Sequence, residues 1–249
     1  MQNEVVVVEV VLVIDTSQSM QPCIEQLKRH LRSLVSPVQQ AGESVRFGLV
    51  GLGASRDDQQ GLLFRLDTLP GGVESLGWLY GGTTQHEFFT ADESRIAARI
   101  DSLSVTGDED NLLALDIALD HPFGPLRHTK RVVALFGDEK LEDGVRRNET
   151  VPFIPKLIEK LHARHIKLFA ALPESPALWE LSQASGSEIE VVAGGSGLAT
   201  VDFRALLDQM GKSISSTSLA NASEERFERA LFGQDQWQRV NTGWNSTDR

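Results

Sequence analysis

Val5-Val6-Val7-Val8-Glu9-Val10-Val11-Leu12-Val13-Ile14-Asp15-Thr16-Ser17-Gln18-Ser19-Met20 carries the strongest structural signal in the chain. Val5–Ile14 is a near-continuous β-branched run, the pattern of a parallel strand covered on both faces. Behind it, Ile24, Leu27, Leu31, Leu34, Val35 and Val38 recur at helical spacing, and Pro37 should kink or end that helix near its last turn. Val45–Leu52 reads as a second strand. Ile96, Ala97 and Ile100 suggest a helix, and Leu112 to Leu119 another. Arg131–Phe136 is a short buried strand, Ile154–His165 an amphipathic helix, and Ile166–Leu172 the next strand. Ala177–Ala184 reads as helix, Ile189–Val192 as a last strand and Val201–Met210 as a last long helix.

Strands separated by helices imply βαβ units. The expected class is α/β: a three-layer, open, mostly parallel sheet with helices on both faces. Residues 54–86 are Gly-rich and read as an irregular insertion with room for one hairpin. The main domain is expected to span 1–213. Ser213-Ile214-Ser215-Ser216-Thr217-Ser218 reads as a linker, and 214–249 as linker and tail with a short amphipathic helix from Ser223.

Composition narrows the function. The chain has 249 residues, 41% of them hydrophobic, enough for a sizeable core. Its 35 acids against 24 bases leave a net charge of −11. That disfavours nucleic acid and anionic membrane as partners, since both need basic surface. The single cysteine, Cys23, excludes an intrachain disulfide framework and a Cys-rich zinc module. It is expected to pack near the sheet rather than react. No stretch reaches the roughly 20 apolar residues of a membrane helix. Met1-Gln2-Asn3-Glu4 carries no basic flank, so a cytoplasmic location is expected.

In an open parallel sheet, ligands bind beyond the carboxyl ends of the strands. The first strand ends in Asp15-Thr16-Ser17-Gln18-Ser19, three oxygen-bearing side chains at alternate positions in a strand-to-helix turn. Such oxygens are hard ligands suited to magnesium or manganese. They equally suit helix capping, with Ser17 or Ser19 as N-cap and Asp15 satisfying backbone amides. Other α/β chemistries fail at named positions. A haloacid-dehalogenase-type site needs a carboxylate where Ser17 stands. A phosphate loop needs Gly-Lys-Ser/Thr, and no such string exists. His162 and His165, near a helix end, fit the helix dipole better than a zinc site.

Asp15-Thr16-Ser17-Gln18-Ser19, after Val11-Leu12-Val13-Ile14 and before Met20, resembles the first motif of the metal-ion-dependent adhesion site (MIDAS) of von Willebrand factor A (vWA) domains. Val132-Val133-Ala134-Leu135-Phe136-Gly137-Asp138-Glu139 resembles the family's apolar strand followed by Thr-Asp-Gly. Asp138 is then the second aspartate, with Gly137 and Glu139 departing from the pattern. The family's threonine precedes an Ala-Leu helix. Here Thr106-Gly107-Asp108-Glu109-Asp110-Asn111 precedes Leu113-Ala114-Leu115, which puts Asp108 at that position. Gly81-Gly82-Thr83-Thr84 is the rival, but no Ala-Leu helix follows it. The resemblance covers residues 5–213.

By that resemblance Asp15, Ser17, Ser19, Asp108 and Asp138 hold one Mg2+ or Mn2+, with a position left for a protein partner's oxygen. Asp108 in place of threonine adds a negative charge, which should tighten the metal and weaken an incoming carboxylate. The resemblance implies a non-enzymatic interaction module, a cytoplasmic adaptor or scaffold. Intracellular relatives of this kind work beside ATPases or kinase and phosphatase systems, including bacterial stress and tellurite-resistance clusters. A metal-dependent phosphohydrolase using the acidic loops and a metal-free interaction domain remain as alternatives. The tail is expected either to pack on its own domain or to dock on a partner.

Overall fold

The computed structural model describes residues 6–55, 63–67, 72–73, 88–101, 103, 111–142, 150–184 and 186–219. In chain order these form β1 (Val7–Asp15), α1 (Gln21–Gln40), β2 (Ser44–Ser55), β3 (Leu63–Asp67), β4 (Gly72–Val73), α2 (Glu93–Asp101), α3 (Asn111–Leu119) and β5 (Thr129–Phe136). Then follow α4 (Thr150–Ala163), β6 (Ile166–Pro173), α5 (Pro176–Leu181), β7 (Glu188–Val192) and α6 (Phe203–Ser216). Two 3-10 turns, Gln18–Met20 and Gly195–Thr200, precede α1 and α6.

One seven-stranded sheet runs in the order β4-β3-β2-β1-β5-β6-β7. Strands β2, β1, β5, β6 and β7 are parallel throughout. The antiparallel part is the β2–β3–β4 edge, where β2 runs on past its expected end to Ser55. Within residues 54–86, β3 and β4 pair antiparallel.

β1 obeys the period-two rule of a strand buried on both faces. Val8, Val10, Leu12 and Ile14 join the core under α1, α2 and α6. Val11 and Val13 join a second core under α3, α4 and α5. All the side chains of α3 except Asp116 are buried, as expected of a helix apolar on every side. The three-layer expectation therefore holds.

One local expectation holds and one needs adjustment. Pro37 lies in the last turn of α1, which ends at Gln40 and closes on Gly42. There Gly42 N–H bonds the Gln39 carbonyl and Glu43 N–H the Val38 carbonyl, a left-handed cap that its φ of 81° requires. The segment from Ser213 is not linker: α6 runs to Ser216 and Ile214 is fully buried. Lys130 holds that end, donating to the carbonyls of Ile214 and Ser215 while pairing with Glu43 at 2.6 Å. The sequence pattern missed this because the cation comes from a distant strand. The expected tail helix lies outside the described residues. No helix among them is long and apolar enough to cross a membrane.

Candidate metal centre

The chain builds leftward from β1 through α1 to β2, then rightward from β5 to β7. The sheet order therefore reverses between β1 and β5, and the carboxyl ends of those neighbours flank a crevice. Ile14 pairs with Phe136 in register. Asp15 and Gly137 each follow that pair, and Asp138 comes one residue later.

Asp15 stays in the sheet, 1% exposed. Its Oδ1 accepts the backbone N–H of Ser17 at 2.7 Å, which folds the chain back over the strand end. Ser17 is extended, and the Gln18–Met20 turn carries the chain into α1. The capping alternative can now be weighed. Asp15 does satisfy a backbone amide, but neither the 3-10 turn nor α1 has a side-chain cap bond. The Ser17 hydroxyl reaches across 121 residues instead, donating to Asp138 Oδ1 at 3.2 Å. Having one proton, it then receives that of Ser19, 2.9 Å away. Asp138 is 2% exposed, and its backbone carbonyl accepts Gly195 N–H at 2.9 Å. Ser19 is exposed and forms the solvent-facing rim.

The tertiary structure thus brings together Asp15, Ser17, Ser19 and Asp138. Asp108, Thr83 and Thr84 lie outside the described residues. Asn111, which sequence reasoning passed over, sits at the same place. It opens α3, 2% exposed, its Nδ2 without a partner among the described residues. A Cβ built on Gly137 would lie 3.4 Å from both that Nδ2 and Asp15 Oδ2. The only sequence signal for Asn111 was its position after the acidic run.

The electrostatics are one-sided. Burial pushes the Asp15 carboxyl up to about 7; the Ser17 backbone bond opposes this, while the Asp138 and Glu139 charges add to it. Cys23 is buried, in line with its expected packing, and burial, with Asp138 and Asp15 nearby, pushes its thiol up to about 11. Oδ2 of Asp15 and Oδ2 of Asp138 are buried and have no partner among the described residues. No cluster of three or more His, Cys, Asp or Glu able to hold a metal occurs among those residues. The centre has two carboxylates and two hydroxyls. A hard divalent cation fits this donor set, because it would neutralise the paired acids and use their free oxygens.

The fold is similar to the solved structure of a von Willebrand factor type A protein from Catenulispora acidiphila. The TM-score is 0.50 and the identity 15%, over 83% of this chain and 43% of that one. This chain therefore spans less than half the length of that protein. The likeness identifies the architecture, a vWA-like, Rossmann-like α/β sheet. No family model matches the chain, and no curated protein matches it.

Proposed function

We propose that the chain is a divalent-metal-binding interaction module with Asp15, Ser17, Ser19 and Asp138 as its metal-holding residues and Asp108 completing the set. One observation carries the reading: two buried carboxylates each keep an oxygen without a partner among the described residues, while Ser17 bonds Asp138 and Ser19 bonds Ser17 rather than capping a helix. A buried polar atom left without a partner costs about 1–3 kcal/mol, more when charged, so a folded chain keeps such a pair only with compensation. Asp108 stands three residues before Asn111 in the sequence, and Asn111 is at the centre, which supports it over Thr83 or Thr84.

Bound there, Mg2+ or Mn2+ supplies positive charge and an open coordination position. Ser19 on the rim leaves that position accessible to a protein partner's oxygen. The reading is of binding rather than catalysis, with the Ser17 hydroxyl and the Asp138 carboxylate it donates to both assigned to holding the ion. A cytoplasmic adaptor or scaffold is the setting we propose, with the tail as a second docking element.

Calorimetry with Mn2+ tests this. One ion per chain is expected, and Ser17→Ala with Ser19→Ala should lose it. Equal affinity in the double variant would overturn the assignment. A pull-down with and without chelator then tests whether the partner needs the ion.

A further inference from the structure

We propose that Asn111 is a positioning residue of this centre, its side-chain amide holding the second oxygen of Asp15 through one bridging water. The consequence for metal binding rests on the function proposed above; the pairing itself does not. Asp15 and Gly137 each follow the last β1–β5 pair, Ile14 with Phe136, and Asp15 falls on the sheet face that carries Val11, Val13 and the core under α3. Asn111 is the first residue of α3. Its Nδ2 and Asp15 Oδ2 each lie 3.4 Å from the point a Gly137 side chain would occupy. They are therefore separated by at most twice that distance.

Both atoms are buried and lack a partner among the described residues, and one is a donor, the other an acceptor. Turning the carboxamide over would set two acceptor oxygens against each other, so the amide nitrogen belongs on the Asp15 side. A side chain at Gly137 would touch both atoms and crowd the space beside them. Asn111 thereby fixes the rotation of the Asp15 carboxylate without taking a coordination place itself. Partners of this kind typically change metal affinity by about 10–100-fold when removed.

Two substitutions approach the same gap from opposite sides. Asn111→Ala removes the donor, and Gly137→Ala fills the space. The nearest obstacle to the added methyl is Leu172 Cδ2 at 2.8 Å, the end of a fully buried side chain that must shift to admit it, so thermal denaturation first checks that the variant folds. In Mn2+ calorimetry on the full chain, each single variant should weaken binding about tenfold. The double variant should be no weaker than either single one. Unchanged affinity in Asn111→Ala, or losses that multiply in the double variant, would overturn the proposal.

A metal-free measurement separates this from the function it rests on. The Asn111 side-chain amide protons should exchange slowly in the 15N spectrum and lose that protection in Asp15→Ala. If they do not respond to Asp15, the pairing is wrong even where Mn2+ binds. If they respond while the wild-type chain binds no Mn2+, the pairing stands and the metal assignment falls.

Discussion

Glu9 and Asp15 sit on the same strand, six residues apart in the chain, and both are buried acids that burial pushes up to about 7. Their surroundings are opposite. Glu9, at the amino end, accepts Gly124 N–H at 2.7 Å and lies in the field of Arg46 and Arg131. Arg131 in turn donates to the carbonyls of Gly124 and Arg164 and ties the β5 approach to the end of α4. Asp15, at the carboxyl end, faces Asp138 and Glu139. One end of the strand supplies the cations that a buried carboxylate requires. The other supplies more anions and hydroxyls, and so is short of positive charge where an open parallel sheet places its ligands. A buried charge alone marks neither structure nor function; the sign of its neighbours separates the two.

The largest effect should come from breaking the compensated end. Arg131→Ala leaves Glu9 and the Gly124 carbonyl under-compensated in the core and should cost about 3–5 kcal/mol in urea unfolding at pH 8. Asp15→Asn should cost the metal-free chain nothing, or stabilise it, by removing a like charge from beside Asp138. Comparable losses in both variants would erase the distinction between the two ends.

Metal binding should respond in the reverse pattern. Asp15→Asn and the double serine variant should each weaken Mn2+ by at least about a hundredfold, more than a supporting residue does. Glu9→Gln should leave Mn2+ affinity alone. A Glu9 variant that alters calorimetric affinity would show that the two ends are coupled.

pH sharpens the contrast further. Both acids have folded pKa values raised above their ordinary values, so folding takes up protons. Their contribution to stability is full below about pH 4 and is lost as pH rises through about 7, roughly 3–4 kcal/mol from each. Saturating Mn2+ should cancel the Asp15 part, because the ion replaces the proton, and leave the Glu9 part. Glu9→Gln should remove the remainder. Chemical denaturation at pH 5 and pH 8, with and without Mn2+, measures both. A metal-free chain that grows more stable toward pH 8 would contradict the assignment.

The smallest effect concerns Asp108. If it completes the site, Asp108→Thr should weaken Mn2+ only a few-fold, the scale of one partly screened charge, while acetate binding to the loaded protein improves. Thr83→Ala and Thr84→Ala should change nothing. A loss confined to the threonine variants would reassign the position.

By itself the sequence determined the layering and the first half of the site. β-branched density in β1 and helical spacing in α1 depend only on local periodicity, which survives without knowledge of partners. Asp15-Thr16-Ser17-Gln18-Ser19 was legible for the same reason: its donors are neighbours in the chain. Tertiary structure decided what local pattern does not encode. It showed that the Ser17 hydroxyl bonds Asp138 and caps no helix, that Lys130 on a distant strand carries α6 past Ser213 to Ser216, and that Asn111 stands beside Asp15. Each depends on strand register and helix placement across many residues of chain. The sequence marks Asp15 by its motif, but only the fold reveals that Glu9 lies in the field of two arginines while Asp15 faces further acids.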